Sequence, residues 1–322
     1  MLKVLTIGGG SGQFALLSAL RTLPGIEITS IVSMVDSGGS TGRLRDELGI
    51  LPPGDILKCL LALSPEQAVT RKLLQSRFSR TGRLKGHSVG NLLLTFLSTY
   101  TGSFAEGVSA MADVLDIRGK VLPVTVDRAT LVAELTDGRR IFGEAAIDVP
   151  RGNQREKIKN TYLVPHHNDH IEVHPPVLDA IQQADVILIG PGDLFTSVIP
   201  NFNVPGVSEA ISQSPGKLLY NVNIMTKYGE TDEFTAVEFV NEIEKHVNRQ
   251  MDIVLMNSSR PADDILERYK TQKSEYVEPV EPEALAPRKV FHCDILDQDG
   301  GIVRHDSEKF GCAMFEVFRK LD

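Results

Sequence analysis

The chain of 322 residues sets 34 Lys and Arg against 42 Asp and Glu, a formal net charge of -8 at pH 7. That charge argues against nucleic acid as a main partner, since phosphate backbones are met by clustered cations, yet it leaves one small phosphate compound open, because loop geometry decides such binding. With 42% apolar residues the chain can bury a large core, its three cysteines lack metal-type spacing, and no apolar run reaches transmembrane length; a first strand starting at Leu2 then gives the expectation of a cytoplasmic protein with no membrane partner.

Leu2 to Ile7 is a short apolar run that predicts a strand, closed by Gly8, Gly9, Gly10, Ser11 and Gly12. Phe14, Leu16, Leu17, Ala19 and Leu20 follow with helical spacing, and Ile28 to Val35 predicts a second strand, closed by Asp36 to Gly42. Strand, glycine loop, helix, strand, glycine loop is how a parallel α/β sheet begins. Helices are expected from Ile56 to Leu63, after a capping box at Ser64, Pro65, Glu66 and Gln67, and after Gly86 to Asn91. From Val121 the period becomes strand-like, with Asp137 and Gly138 as a hairpin signal between Leu131–Leu135 and Arg140–Phe142. Residues 119–170 therefore read as a small antiparallel β insertion within one α/β domain spanning 1–322. Parallel order resumes with strands at Asp185–Ile189, Lys217–Val222, Ile253–Met256 and Val290–Ile295, while Ser307–Phe318 reads equally as helix or strand.

Three of these strands end in glycine loops, where backbone N–H groups can approach phosphate oxygens and a following helix adds its positive end. The first is a variant of the dinucleotide fingerprint, with Gln13 where the third glycine belongs and Gly12 before it. The second sets Asp36 before Ser37, Gly38, Gly39, Ser40, Thr41 and Gly42, with Arg43 and Arg45 supplying positive charge. The third is Gly190, Pro191, Gly192 and Asp193, with Thr196 and Ser197 nearby, and Asn221, Asn223 and Thr226 follow a fourth strand. His87 and Asn91 lie four apart at a helix start, where the histidine donates to a phosphate, acts as an acid, or caps the helix. His166, His167, His170 and His174 lie on an irregular segment that reads as a solvated loop rather than a metal site.

The glycine run at 8–12, Asp36 to Arg45, Pro53, Gly54 and Asp55, Gly86 to Asn91, and Ile189 to Ser197 occur in that order and resemble the CofD-like (UPF0052) family. Within it the likeness is greatest to the bacterial YvcK branch, the gluconeogenesis factors, which Asn221, Asn223, Thr226 and Gly229 to Asp232 also match. The resemblance covers essentially the whole chain. It implies a Rossmann-like parallel sheet with helices on both faces, and a nucleotide or UDP-sugar as ligand. It further implies a regulatory protein, acting through a cell-envelope partner, that ties central carbon metabolism in gluconeogenic growth to cell shape and envelope synthesis.

The alternative is a metal-assisted transferase of the 2-phospho-L-lactate transferase type. There Mg2+ held by Asp36 or Asp55 neutralises phosphate charge and His87 acts as acid. NAD in the nucleotide site is a more distant reading, and a homo-oligomer is left open. For the base, Tyr269 and Arg304 offer stacking and donor groups in the region where the resemblance puts the nucleoside end of the pocket.

Overall fold

The alternation of branched apolar runs with helical spacing is realised as a doubly wound sheet in the computed structural model, which describes residues 1–321 except 66, 80, 81, 83, 151–154, 167 and 168. Strand β1 (Leu2–Gly8) leads through helix α1 (Gly10–Leu20) into β2 (Ile26–Val32), which pairs with β1 in parallel, Leu2 against Ile26 through Gly8 against Val32. A helical block follows: α2 (Gly39–Leu48), α3 (Gly54–Leu63), α4 (Gln67–Gln75), α5 (Val89–Thr101) and α6 (Phe104–Val114). Strand β3 (Lys120–Pro123) then returns to pair in parallel with β2.

Next come β4 (Ala129–Leu135), β5 (Arg140–Phe142), α7 (Glu144–Asp148) and β6 (Ile158–Pro165). The chain continues through α8 (Pro175–Gln183), β7 (Val186–Ile189), α9 (Ile199–Phe202), α10 (Val207–Gln213), β8 (Lys217–Asn221) and α11 (Ala236–Val247). It ends with β9 (Ile253–Asn257), α12 (Asp263–Thr271), β10 (Lys289–Cys293), the short ribbon β11 (Leu296–Asp297) and β12 (Arg304–His305), and α13 (Ser307–Phe318).

Among the described residues seven strands form one parallel sheet in the order β10-β9-β8-β7-β1-β2-β3. All four residues of β7 are buried, which requires cover on both faces and explains why this strand reads as a continuous apolar run instead of an alternating one. The chain winds outward from β1 to β3 on one side and from β7 to β10 on the other. The switch point therefore lies between β1 and β7, and a crevice opens outside their carboxyl ends.

Two sequence expectations need adjustment, and one open reading is resolved. The antiparallel sheet is β5-β4-β6 alone, hairpin included, whereas Lys120–Pro123 is an edge strand of the main sheet. Short runs of this kind pair with whatever edge the preceding helices bring them to, so periodicity cannot assign the sheet. The segment after Asp36 is no extended loop, because α2 starts at Gly39. The tail is the helix α13, capped by the Asp306 carboxylate on the Glu308 and Lys309 N–H groups. The capping box before α4 falls partly on Glu66, outside the described residues.

Candidate functional site

The glycines of the first loop act through close approach. A Cβ on Gly12 would lie 2.5 Å from the Pro191 carbonyl oxygen, and one on Gly9 would lie 2.9 Å from an Asp55 carboxylate oxygen. The loop thus lets α1, the start of α3 and the Gly190–Asp193 turn converge at the switch point. Gly10 takes the left-handed region at φ +69° as α1 begins. Gln13, the departure from the fingerprint, is buried and donates from Nε2 to the Thr6 and Ser30 hydroxyls at 2.6 and 3.1 Å. It pins α1 to β1 and β2, a structural task. A Cβ on Gly8 would meet the Gln13 amide at 2.8 Å.

Two cavities open here, each of ≈ 450 Å3. The first lies between Ser11 and Gly12 at the N-terminus of α1, Gly192 and Asp193, the Asn223–Met225 segment, and Val303, Arg304 and His305. Its walls combine apolar Phe14, Ile224 and Met225 with cationic Lys58, Arg71 and Arg304. The Arg71 guanidinium sits 4.2 Å over the Phe14 ring. The second cavity lies under the N-terminus of α2 and is lined by Asp36, Gly38, Gly39, Ser40, Thr41, Gly54, Ser88, Asn91 and Arg77. Lys58 and Gln75 line both cavities.

Around the second cavity, the Gly38 N–H donates to Asp36 at 2.9 Å, and Lys58 donates to Asp55 at 2.8 Å. Burial, and then the neighbouring Asp55 charge, push the Asp36 carboxyl up. Burial pulls Lys58 down, but Asp55 and Asp36 outweigh it, so the ammonium is stabilised. His87 is buried with Nδ1 at 2.9 Å from the Ser40 hydroxyl, and Asn91 Nδ2 donates to the same oxygen at 3.3 Å. Burial, then the Arg43 charge, lower the His87 pKa, which keeps the ring neutral. The helix cap at this point is Ser88, whose hydroxyl accepts from the Asn91 N–H.

A second charged knot lies beneath the third loop. Lys227 donates to Asp148, to Asp193 at 2.7 Å, and pairs with Glu230 at 3.2 Å. Glu230 is fully buried and also accepts from the Phe195 N–H and the Thr196 hydroxyl, both at 3.1 Å. Burial raises Glu230 while Lys227 opposes, and for Lys227 the carboxylates outweigh burial and hold the ammonium charged. From α7, Glu144 accepts the Ser37 N–H at 3.1 Å, and burial pushes its carboxyl up to about 7. Helix α7 therefore straps the second loop to the third.

Of the sequence candidates, Ser11, Gly12, Gly192, Asp193 and Arg304 line the first cavity, and Asp36, Gly38, Gly39, Ser40, Thr41 and Asn91 the second. His87 stands behind Ser40, and Asp55 is held by Lys58. Gly42 lets α2 pack onto the Ser37 carbonyl, while Arg43 is exposed beside Gly86. Gly190 makes its turn at φ +70°, and Ser197 lies under Gly9 and Gly10. Thr196 is spent on Glu230, Thr226 accepts from the Glu275 N–H, and Asn221 donates to the His305 ring at 3.3 Å. Tyr269 is not among the lining residues: its hydroxyl accepts from the Val303 N–H at 2.9 Å and braces the strand that carries Arg304.

His166 pairs with Thr130, His170 with Glu172, and His174 precedes α8, so these histidines do not converge; His167 is outside the described residues. Sequence reasoning missed Lys58, Arg71, Gln75, Glu144 and Lys227. The signal for Lys58 was its place one turn after Asp55 in the Pro53-Gly54-Asp55 helix start. The others carry no local signal.

Residues 4–298 match the family described as 2-phospho-L-lactate transferase CofD. A gluconeogenesis factor of Bacillus subtilis is 38% identical over 320 residues, covering 99% of this chain and 98% of that protein. One from Halalkalibacterium halodurans is 40% identical over 317 residues, covering 98% and 96%. A crystal structure of a UPF0052 family member from Bacillus halodurans superposes with TM-score 0.89 at 39% identity, covering 97% of this chain and 99% of that one. With its Rossmann strand order, its crevice at the switch point and these matches, the chain belongs to the CofD-like family, alongside proteins named gluconeogenesis factors.

Proposed function

We propose that this protein binds a UDP-sugar or a related nucleotide in the paired cavities. As a regulatory protein it couples central carbon metabolism in gluconeogenic growth to cell shape and envelope synthesis through a protein partner. The observation that carries the ligand class is the lining of the switch-point crevice. Lys58, Arg71 and Arg304 and the N-terminus of α1 face one cavity that also has an apolar wall. Phosphates need the former and a base the latter. The names of the close relatives support the metabolic setting.

A second reading is favoured by one feature, the neighbouring Asp36 and Asp55 carboxylates, close enough that Asp55 raises the Asp36 pKa. That donor set fits Mg2+, which would supply positive charge against a diphosphate in a transferase, with Lys58 already placed to share that charge. The regulatory reading needs no metal ion, because Lys58 and backbone N–H groups supply the positive field.

The test is a thermal-shift screen with UDP-sugars, UDP, GDP and NAD, with and without Mg2+, followed by a search for released nucleotide. A ligand at about 100 times its Kd stabilises by roughly 2.7 kcal/mol. Binding of the uridine compounds without turnover supports the regulator. Mg2+-dependent consumption of a nucleotide-linked donor supports the transferase, and stabilisation by neither class of nucleotide defeats both readings.

A further inference from the structure

We infer that the outward face of α4, with the hairpin of residues 76–89 that follows it, is a docking surface for an acidic, partly apolar segment of a protein partner. This rests on the regulatory reading above, from which it takes the existence of a partner, and it adds that partner's chemistry and its place on the fold.

Charge is spread unevenly along the chain. Residues 67–105 hold six of the 34 Lys and Arg (Arg71, Lys72, Arg77, Arg80, Arg83 and Lys85) and none of the 42 Asp and Glu. Arg80 and Arg83 lie outside the described residues. The other four are exposed, and among the described residues none pairs with a carboxylate: Arg71 donates to the Gln75 side chain and Arg77 to the Gly86 carbonyl. By contrast, Lys157, Lys159 and Arg260 on other surfaces are paired with Glu233, Glu134 and Glu278. Apolar side chains stand among the unpaired cations, Val69 being 78% exposed, Leu73 59%, Leu84 50% and Phe78 40%. Val69 and Leu73 lie one turn apart on α4. The hairpin carries Phe78 and Leu84 straight on from the helix end, closed by the Phe78 N–H on the His87 carbonyl at 3.1 Å and the Val89 N–H on the Ser76 carbonyl at 3.0 Å. An occupant with carboxylates beside apolar groups complements both features of this face at once.

The sides of α4 meet different surroundings. Arg71 and Gln75, four apart, line the first cavity, Leu74 is buried, and Val69 and Leu73 fall on the side away from the cavity. A partner on the outer face thus rests on the same helix that walls the crevice, which is the placement a protein needs in order to report crevice occupancy outward. Charge favours a protein segment over a membrane. A bilayer meets a whole flank of a chain whose net charge is -8, and that surplus repels an anionic surface. A short acidic segment covers only the basic patch, and charges beyond about a Debye length are screened from it.

Fluorescence anisotropy of the full chain with a labelled helical peptide built of Glu, Leu and Ala tests the surface. The peptide should bind at low salt and weaken as salt rises, while the same peptide with Gln for Glu should bind about tenfold or more weakly. The double variants Lys72→Glu with Lys85→Glu, and Val69→Ser with Leu73→Ser, should each weaken the acidic peptide by about tenfold or more. All four positions are exposed, and thermal melts check that each variant folds; either double variant alone carries the test. Absence of peptide binding, or binding that neither double variant alters, overturns the proposal. So does a preference for phosphatidylglycerol vesicles or an RNA oligonucleotide over the peptide, and so does self-association that the charge reversal abolishes, since the occupant is then a second copy. Calorimetry with UDP-glucose on the same samples keeps the two readings apart. A wild-type protein that binds UDP-glucose but not the peptide defeats the docking surface alone, whereas one that binds the peptide but not UDP-glucose supports the surface and defeats the nucleotide-sugar reading.

Discussion

Replacing Glu144 by Gln should stabilise the protein above neutral pH and change little in acid. The Glu144 carboxyl is pushed from 4.5 up to about 7, first by burial and then by the charges of Asp36, Asp148 and Asp55, with the Ser37 N–H opposing. A carboxyl raised in the folded state binds its proton more tightly there than in the unfolded chain. Its contribution to stability is complete below about pH 4.5 and is lost as pH rises through about 7. The shift of 7 − 4.5 = 2.5 pH units corresponds to about 3 kcal/mol at most. Gln keeps an oxygen for the Ser37 N–H and carries no charge at any pH. The melting temperature of Glu144→Gln minus that of the wild type should thus be near zero at about pH 4.5 and reach several degrees by about pH 8. Taking the difference cancels the titrating groups that do not interact with Glu144. A difference that stays flat across this range, or a variant less stable at about pH 8, would refute the reasoning.

Gly12→Ala places a Cβ against the Pro191 backbone at 2.5 Å; it should cost about 1–3 kcal/mol in urea unfolding and weaken UDP-glucose, and unchanged values would remove the close approach as an explanation. Lys227→Met strands Asp148, Asp193 and Glu230 without their cation and should cost about 3–5 kcal/mol, less in acid where the carboxyls protonate, as denaturant titrations at two pH values will show. Tyr269→Phe keeps the ring but removes the acceptor for the Val303 N–H, so a loss of roughly 0.5–1.5 kcal/mol in stability with a modest loss of affinity is expected; full retention of both in calorimetry and melts would argue instead that only the ring matters.

The three glycine loops were legible because they obey local rules. A branched apolar run must end before its chain can turn, and glycine marks where backbone is pressed against a neighbour. The Asp137–Gly138 hairpin was equally local, since its turn chemistry sits in the two residues themselves. The role of each glycine was less legible. Gly9 and Gly12 leave room for Asp55 and Pro191, residues far along the chain, and the fingerprint alone reads them as facing a ligand.

A parallel α/β sheet, glycine loops at its strand ends, and carboxylates and small donors crowding those ends could all be read from the order of the amino acids. Periodicity and turn chemistry act over a few residues and so can be read from them. Three-dimensional packing was needed to put Lys120–Pro123 in the main sheet, to set Tyr269 bracing a strand outside the cavity lining, and to bring Lys58 and Gln75 into the walls of both cavities. The same packing makes Glu144 and Lys227 tie one loop to another. Each of those depends on which strand lies next to which, and that order is set by non-local burial, which no window of the chain contains.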